Sequence, residues 1–504
     1  MKQIKRVSGN VTWFLIAAVM CGGLARLASA TTYYWDNTSP IETTGFGTAG
    51  GTWGTDAKWS TSNTGVVTPG TTATTTNDTL NFGTATASYG LATGTITING
   101  TVEAKSITVG SQSGAITLSG GNITNMNGTS GASFIQNNST NTLTIGSNVD
   151  FGTNGSFRSL VCGSGGIIIN GNIRGSGSGA RMNTTGAVTI NGNITGEGLQ
   201  INSGMVTVGN SGLTWVGITS NDSGTQGGTL NLNGNSLSVS GIAGGITITD
   251  NAVGNGTSLL TLATGTSSQN AATTGIISDG SNGRQVAITY NGATSLSLSQ
   301  TNTYSGNTKS AGSGKITLAN NLAIQNSAID TSGAGKLALY TNGVTTLTIG
   351  GLIGSKNMVS VFDATYTNLT ALTLNPGAGQ TNNYSGSITN GASGMTLTKT
   401  GAGVQILTGT NLYTGSTSVN AGVLVIGATY ALPSGTNVNI NATGKLQLDA
   451  NASAGWLYLD GKATLKGIWG SPVSGAPHTS GYFLGNGKLT VINGLPSGTF
   501  IRFF

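Results

Sequence analysis

Short units of the form apolar–polar–apolar recur between residues 96 and 448, and they constrain this chain more than any other feature. Twelve are plain: ITI at 96–98, ITL at 116–118, LTI at 143–145, VTI at 188–190, LNL at 230–232, ITI at 246–248, LSL at 296–298, ITL at 316–318, LTI at 347–349, LTL at 372–374, VNI at 438–440 and LQL at 446–448. An apolar residue at i and i+2 with Thr, Ser, Asn or Gln between them marks a strand with one face buried and the other in water. Turns rich in Gly, Asn or Ser lie between the units, as turn chemistry between short strands requires. No helix-period apolar run of useful length appears after residue 30.

Such strands could build a sandwich, a barrel or a solenoid. Three features favour a single-stranded right-handed parallel β-helix, an all-β solenoid with aromatic-rich end caps. The pattern persists for about 400 residues without a linker, the strands are very short, and only 7% of residues are charged, against about 25% in ordinary soluble domains. In a parallel solenoid each residue lies about 4.8 Å from its counterpart in the next coil. Stacked like charges repel at that distance, whereas stacked Asn, Thr and Ser can hydrogen-bond along the axis. An elongated array of antiparallel hairpins or sandwiches is the alternative.

The reading divides the chain into a signal peptide at 1–30, an N-terminal cap region at 31–90, the β-helix at 91–455 and a C-terminal cap or tail at 456–504. Lys2, Lys5 and Arg6 precede an apolar run at 11–20, and Ala28, Ser29 and Ala30 form a small-residue cleavage site, the three parts of a secretory leader. Met20 before Cys21 is too bulky for a lipoprotein site. Without Lys2, Lys5, Arg6 and Arg26 the chain keeps 16 basic and 14 acidic residues, which removes the electrostatic motive for binding nucleic acid. One cysteine, Cys162, then remains, and it is expected to be a buried inert thiol. Tyr33, Tyr34, Trp35, Trp53, Trp59 and Phe82 are expected to cover the first coil, with a sugar-stacking platform as the sharper alternative. Trp456, Tyr458, Trp469, Tyr482, Phe483, Phe500, Phe503 and Phe504 are expected to cover the last.

The segment 396–427, TLTKTGAGVQILTGTNLYTGSTSVNAGVLVIG, resembles the autotransporter-associated β-strand repeat, also called the passenger-associated transport repeat. Lys399, Gly401, Gly403, Leu407, Thr408, Gly409, Asn411, Tyr413, Thr414, Gly415, Thr417, Val419, Ala421, Gly422 and Leu424 carry the resemblance. Leu412, Ser416 and Val423 depart from it. TNTYSGNT at 301–308 and TNNYSGSI at 381–388 are weaker echoes, so Tyr304, Tyr384 and Tyr413 are expected at equivalent corners, each ring covering the interior. The resemblance implies a right-handed β-helix on or outside a bacterial cell, a repeat linked to secretion and folding, and no catalytic residues. Only 77 residues follow Gly427 in the 504-residue chain, too few for a barrel of roughly a dozen membrane strands. No transmembrane barrel is therefore expected within it.

Chemistry is sparse. Asp222, Asp250 and Asp279 recur at near-coil spacing in turn-like settings, where Asp commonly bonds its own turn. Replacing them by Asn is expected to leave the fold intact. His478 is the only histidine and is expected in an exposed loop. No catalytic, cofactor or metal residue is assigned. The chain reads as a secreted or cell-surface structural or adhesive protein without enzymatic activity. The alternatives are a carbohydrate-binding surface protein and a β-helix polysaccharide lyase or hydrolase. A surface polysaccharide, a host or neighbouring cell surface, and self-association are all compatible as partners.

Overall fold

The computed structural model describes residues 30–495 apart from 39–43, 125–132, 153–157, 176–179, 197, 221–226, 264–266, 270–274, 341–342 and 442. The expected leader lies outside these residues but for Ala30, as do Asp222, Phe500, Phe503 and Phe504. The chain winds into a parallel β-solenoid of about 15 turns. Residue 347 is in register with 372, and 372 with 397, so each strand bonds the equivalent strands of the coils before and after it. Among the described residues, helix is confined to Ala87–Tyr89, Met358–Val361 and Ala364–Asn368. None is long and apolar enough to cross a membrane.

The alternating units explain the winding. Both apolar members of all twelve are at most 5% exposed, so each strand turns its apolar side to the axis and its polar side to water. They stack on one another: Leu143 and Ile145 lie in register with Ile116 and Leu118 on one side and with Ile167 and Ile169 on the other. Burying such a side chain stabilises by about 1.5–3 kcal/mol, and the coil repeats this gain at every turn. The corners need tight backbone. At Gly401 (φ +68°) a Cβ would meet the Pro376 carbonyl oxygen at 2.3 Å, and at Gly422 (φ +62°), in the next coil, it would meet that of Gly401 at 2.4 Å.

Asparagine ladders run along the axis as expected. Asn148 Nδ2 donates to Asn122 Oδ1 at 3.0 Å, and Asn148 Oδ1 accepts from the Asn172 N–H at 2.9 Å. Asn172 Oδ1 accepts from the Asn193 N–H, and Asn193 Oδ1 from the Thr214 N–H. Uncharged side chains thus repeat at coil spacing without repulsion.

The two ends differ from the body and from each other. Tyr34 and Trp35 pair antiparallel with Ser60 and Trp59. At the other end the strand Leu457–Leu459 pairs antiparallel with Lys462–Ala463, and Gly467–Gly470 with Lys488–Val491. The N-terminal aromatics form a plug. Trp35, Trp53, Trp59 and Phe82 are at most 1% exposed, with Trp59 edge-on to both Trp35 and Trp53. The faces of these four are used up in packing, so they offer no sugar platform, while Tyr33 and Tyr34 are half-buried. The C-terminal aromatics form no such plug. Phe483 alone among those described is buried, while Trp456, Tyr458, Trp469 and Tyr482 are half-exposed. Aliphatic residues, Leu457, Leu489 and Val491, close that end instead.

Candidate functional site

The acids singled out from the sequence serve the backbone. Asp250 is fully buried. Its Oδ1 accepts from the N–H groups of Gly234 and Ala252, and its Oδ2 pairs with Arg284 Nε at 3.2 Å. Asp279, one coil on, accepts from the N–H groups of Val286 and Ser305 through Oδ1. Each holds a turn, as turn aspartates do. Asp250 departs from the expectation that Asn would be tolerated. Removing a buried charge leaves its partner, here Arg284, uncompensated. Among the described residues no three His, Cys, Asp or Glu gather in a way that could hold a metal ion.

His478 is not an exposed loop residue. It sits half-buried in a two-residue strand, and its ring stacks on Trp469 with centroids 4.9 Å apart. Cys162 is buried, as expected, and its Sγ–H donates to the Ala187 carbonyl at 3.4 Å.

Residues 396–427 carry several buried hydrogen bonds in the solenoid interior. Asn411 is a clamp between three coils. Its Oδ1 accepts from the Ile388 N–H at 2.8 Å, and its Nδ2 donates to the Ala431 carbonyl at 2.6 Å. Tyr413 is buried, and its hydroxyl shares a 2.7 Å hydrogen bond with Thr417 four residues on. Tyr304 repeats this with Thr308 at 2.7 Å, and Asn302 repeats the clamp on Ile277 and Ala323. Burial pushes both phenols well above their ordinary value. Tyr384 is equally buried, but its hydroxyl donates to the carbonyls of Lys356 and Ser387. Two differences accompany this: Ile388 stands where Thr308 and Thr417 supply a hydroxyl, and Tyr384 ends the strand Thr381–Tyr384 whereas Tyr304 and Tyr413 lie outside strands.

Two further polar residues of this segment are buried: Gln405, which no pattern marks, and Lys399, one of the residues that carry the resemblance. Gln405 looks like any other polar member of an alternating strand, yet it is fully buried. Its Oε1 accepts from the Leu352 N–H at 2.9 Å and its Nε2 donates to the Leu352 carbonyl at 3.0 Å. The amide thereby replaces a strand partner beside the Gly350–Gly351 step, where a Cβ on Gly351 would meet Asn382 at 2.1 Å. Lys399 is also fully buried. Its Nζ donates to the carbonyls of Thr400, Gly401 and Ala421, joining two successive corners.

Burial pushes the Lys399 ammonium down from the usual 10.5 to about 8, while its carbonyl partners favour the charged form. A folded value below the unfolded one means that, between about pH 8 and 10.5, the unfolded chain binds a proton the folded chain does not. Stability from this group is therefore complete above pH 10.5 and is lost as pH falls through 8. The denaturation midpoint of the wild type, measured against Lys399→Met, is expected to rise across that window and to run parallel below it. A constant difference from pH 7 to 10.5 would contradict this.

The outer surface carries columns of uncharged side chains in register. One runs through Thr95, Thr117, Thr144, Ile168, Thr189 and Thr207 and continues in register through Asn231 and Thr249, which are buried. Another runs through Thr348, Thr373, Thr398, Ser418, Asn439 and Tyr458. Depressions interrupt this surface, one of about 410 Å³ beside Asn122, Asn148, Asp150, Asn172 and Arg174 and three others. A cleft of about 830 Å³ lies between Thr257, Gln285 and Asn307 and the loop 378–382. A groove of about 390 Å³ lies beside Tyr34, Asn81, Thr84 and Thr108. A third, of about 430 Å³, is formed by two stacked turns, 410–414 and 430–436.

The model of the passenger-associated-transport-repeat family matches residues 397–426, the segment whose interior is described above. No curated protein and no solved structure matches the chain. Repeat and solenoid together fit an autotransporter-passenger-like β-helix protein.

Proposed function

We propose, for a β-solenoid that carries a passenger-associated transport repeat, a role as a secreted or cell-surface structural and adhesive protein without catalytic activity. The observation that carries this reading is the outer surface. It presents uncharged Thr, Ser and Asn in register over many coils, while Asp250 and Asp279 are spent on turns. Glycoside hydrolysis needs a pair of carboxylates about 5–10 Å apart and facing a substrate, and these two face backbone N–H groups and Arg284. Interior groups of the repeat, Lys399, Asn411 and Gln405, tie each coil to its neighbours. They suit a segment that folds coil upon coil after export.

Two measurements test this reading. Protease treatment of intact producing cells is expected to digest the chain, which places it outside the cell envelope. Purified protein incubated with neutral and acidic polysaccharides is expected to release no new reducing ends or unsaturated products. Turnover by the wild type that Asp279→Asn abolishes would replace the non-enzymatic reading with a catalytic one.

A further inference from the structure

We infer that the groove between the turns 410–414 and 430–436 binds a neutral saccharide. This rests on the adhesive reading and gives it one ligand class. Tyr430 is 65% exposed and Leu412 is 60% exposed, and both line the same groove. Exposed apolar side chains gathered at one depression, rather than scattered singly, mark a binding surface. Leu412 is also a departure from the repeat pattern, so its exposed apolar side chain is a feature of this chain.

The frame beneath them is rigid. The Asn411 N–H donates to the Tyr430 carbonyl at 3.0 Å and fixes one turn on the other. Asn411 and Tyr413 are buried and fully bonded below, Asn390 Nδ2 donates to Thr414 Oγ1 at 2.9 Å, and the Thr436 hydroxyl donates to the Pro433 carbonyl at 2.9 Å. The groove is therefore preformed, and ordering it costs little on binding.

Its chemistry selects the ligand. A pyranose presents an apolar face of C–H groups and an edge of hydroxyls. The Tyr430 ring and the Leu412 methyl groups meet the first, and the exposed hydroxyls of Thr410, Thr414, Ser434 and Tyr430 meet the second. No Lys, Arg, Asp or Glu lines the groove, so an anionic glycan or a phosphate finds no counter-charge. The other depressions lack this combination: the one beside Asn148 holds Asp150 and Arg174 and no aromatic ring. The cleft beside Gln285 has no aromatic lining, and Tyr34 already stacks on Phe46 with centroids 5.7 Å apart.

Binding of soluble gluco-, manno- and N-acetylgluco-oligosaccharides to the purified protein, measured by calorimetry, tests the site, with polygalacturonate as the charged comparison. At least one neutral probe is expected to bind. Tyr430→Ala is expected to weaken it about tenfold, the worth of one aromatic contact. Tyr430→Phe is expected to stay close to wild type. Val253→Ser, at an 88% exposed residue away from the groove, is expected to change nothing. Both residues are exposed, so folding is not at stake. No neutral probe binding, binding unchanged by Tyr430→Ala, or polygalacturonate binding as tightly would each overturn the site. So would self-association that Tyr430→Ala abolishes, because the groove would then hold a second copy. Attachment to cells that survives Tyr430→Ala overturns the groove and leaves the adhesive reading standing, whereas failure of the wild type to attach anywhere removes that reading.

Discussion

Ile349→Asp is expected to unfold the central coils at pH 7. Ile349 is fully buried and lies in register between Ile324 and Leu374, so both of its neighbours along the axis are apolar. A carboxylate there has no partner, and an unpaired buried charge costs several kcal/mol. Leu347→Ala, two residues earlier on the same face, calibrates the loss at about 2–5 kcal/mol, since it removes apolar contact without adding charge. Thr348→Asp, between them but facing outward, is expected to change stability little. Because coils contact mainly their neighbours, limited proteolysis of Ile349→Asp should cut first near residues 320–375 and later elsewhere. Burial would also raise the pKa of the introduced carboxyl above its unfolded value. The stability of the variant should then be greatest at low pH and fall as pH rises. A urea midpoint at pH 7 equal to that of Leu347→Ala would show that the site is not the dry column described.

The winding itself could be read from the sequence because one observable controls it. A residue such as Leu372 is apolar, its neighbours Ala371 and Thr373 are smaller or polar, and the same alternation recurs around Leu397, between Thr396 and Thr398. Such local alternation decides strand, face and burial together. The corners of Tyr304 and Tyr413 were legible for the same reason, whereas Tyr384 ends the strand Thr381–Tyr384, in register with Leu407, and its hydroxyl finds other partners. What could not be read depends on which coil lies above which. Arg284 meets Asp250 only because the turns between them fix the stacking, and no local pattern marks that pair. Gln405 stands at an inward position in register with Leu424 and Leu446, where Gln447 faces outward, and its amide finds a partner 53 residues away. The groove was equally hidden. Leu412 and Tyr430 are both apolar residues in turns, and only the placement of two turns shows that neither is covered. At the C-terminal end, composition pointed to a second aromatic plug. Aliphatic residues on an antiparallel sheet close it instead, because Tyr458 falls on the outward position of the strand Leu457–Leu459 and Trp456, just before it, is also half-exposed.

Removing residues 31–90 is expected to convert a discrete particle into one that associates end to end. Two layers of protection go with that segment. Thr52–Trp53 covers the edge of Gly94–Ile98, and Thr79–Phe82 covers that of Ser106–Val109. Above them Trp35, Trp53, Trp59 and Phe82 seal the axis, and the antiparallel pairing of Trp35 with Trp59 ends the parallel template. A solenoid without its cap offers a row of unpaired N–H and C=O groups beside an open apolar core, and the nearest match for such an edge is another coil. Sedimentation velocity across a concentration series should show the truncated chain forming growing oligomers, while the intact chain keeps one sedimentation coefficient. Misfolding could mimic this, so a second variant separates the two. Thr97→Lys in the truncated chain places a charge on the newly bared strand, as natural edge strands do, and should restore a single species with undiminished β signal in circular dichroism. If the truncated chain stays monomeric at every concentration, or if Thr97→Lys leaves its association untouched, the N-terminal aromatics are packing for their own segment and do not guard the end of the solenoid.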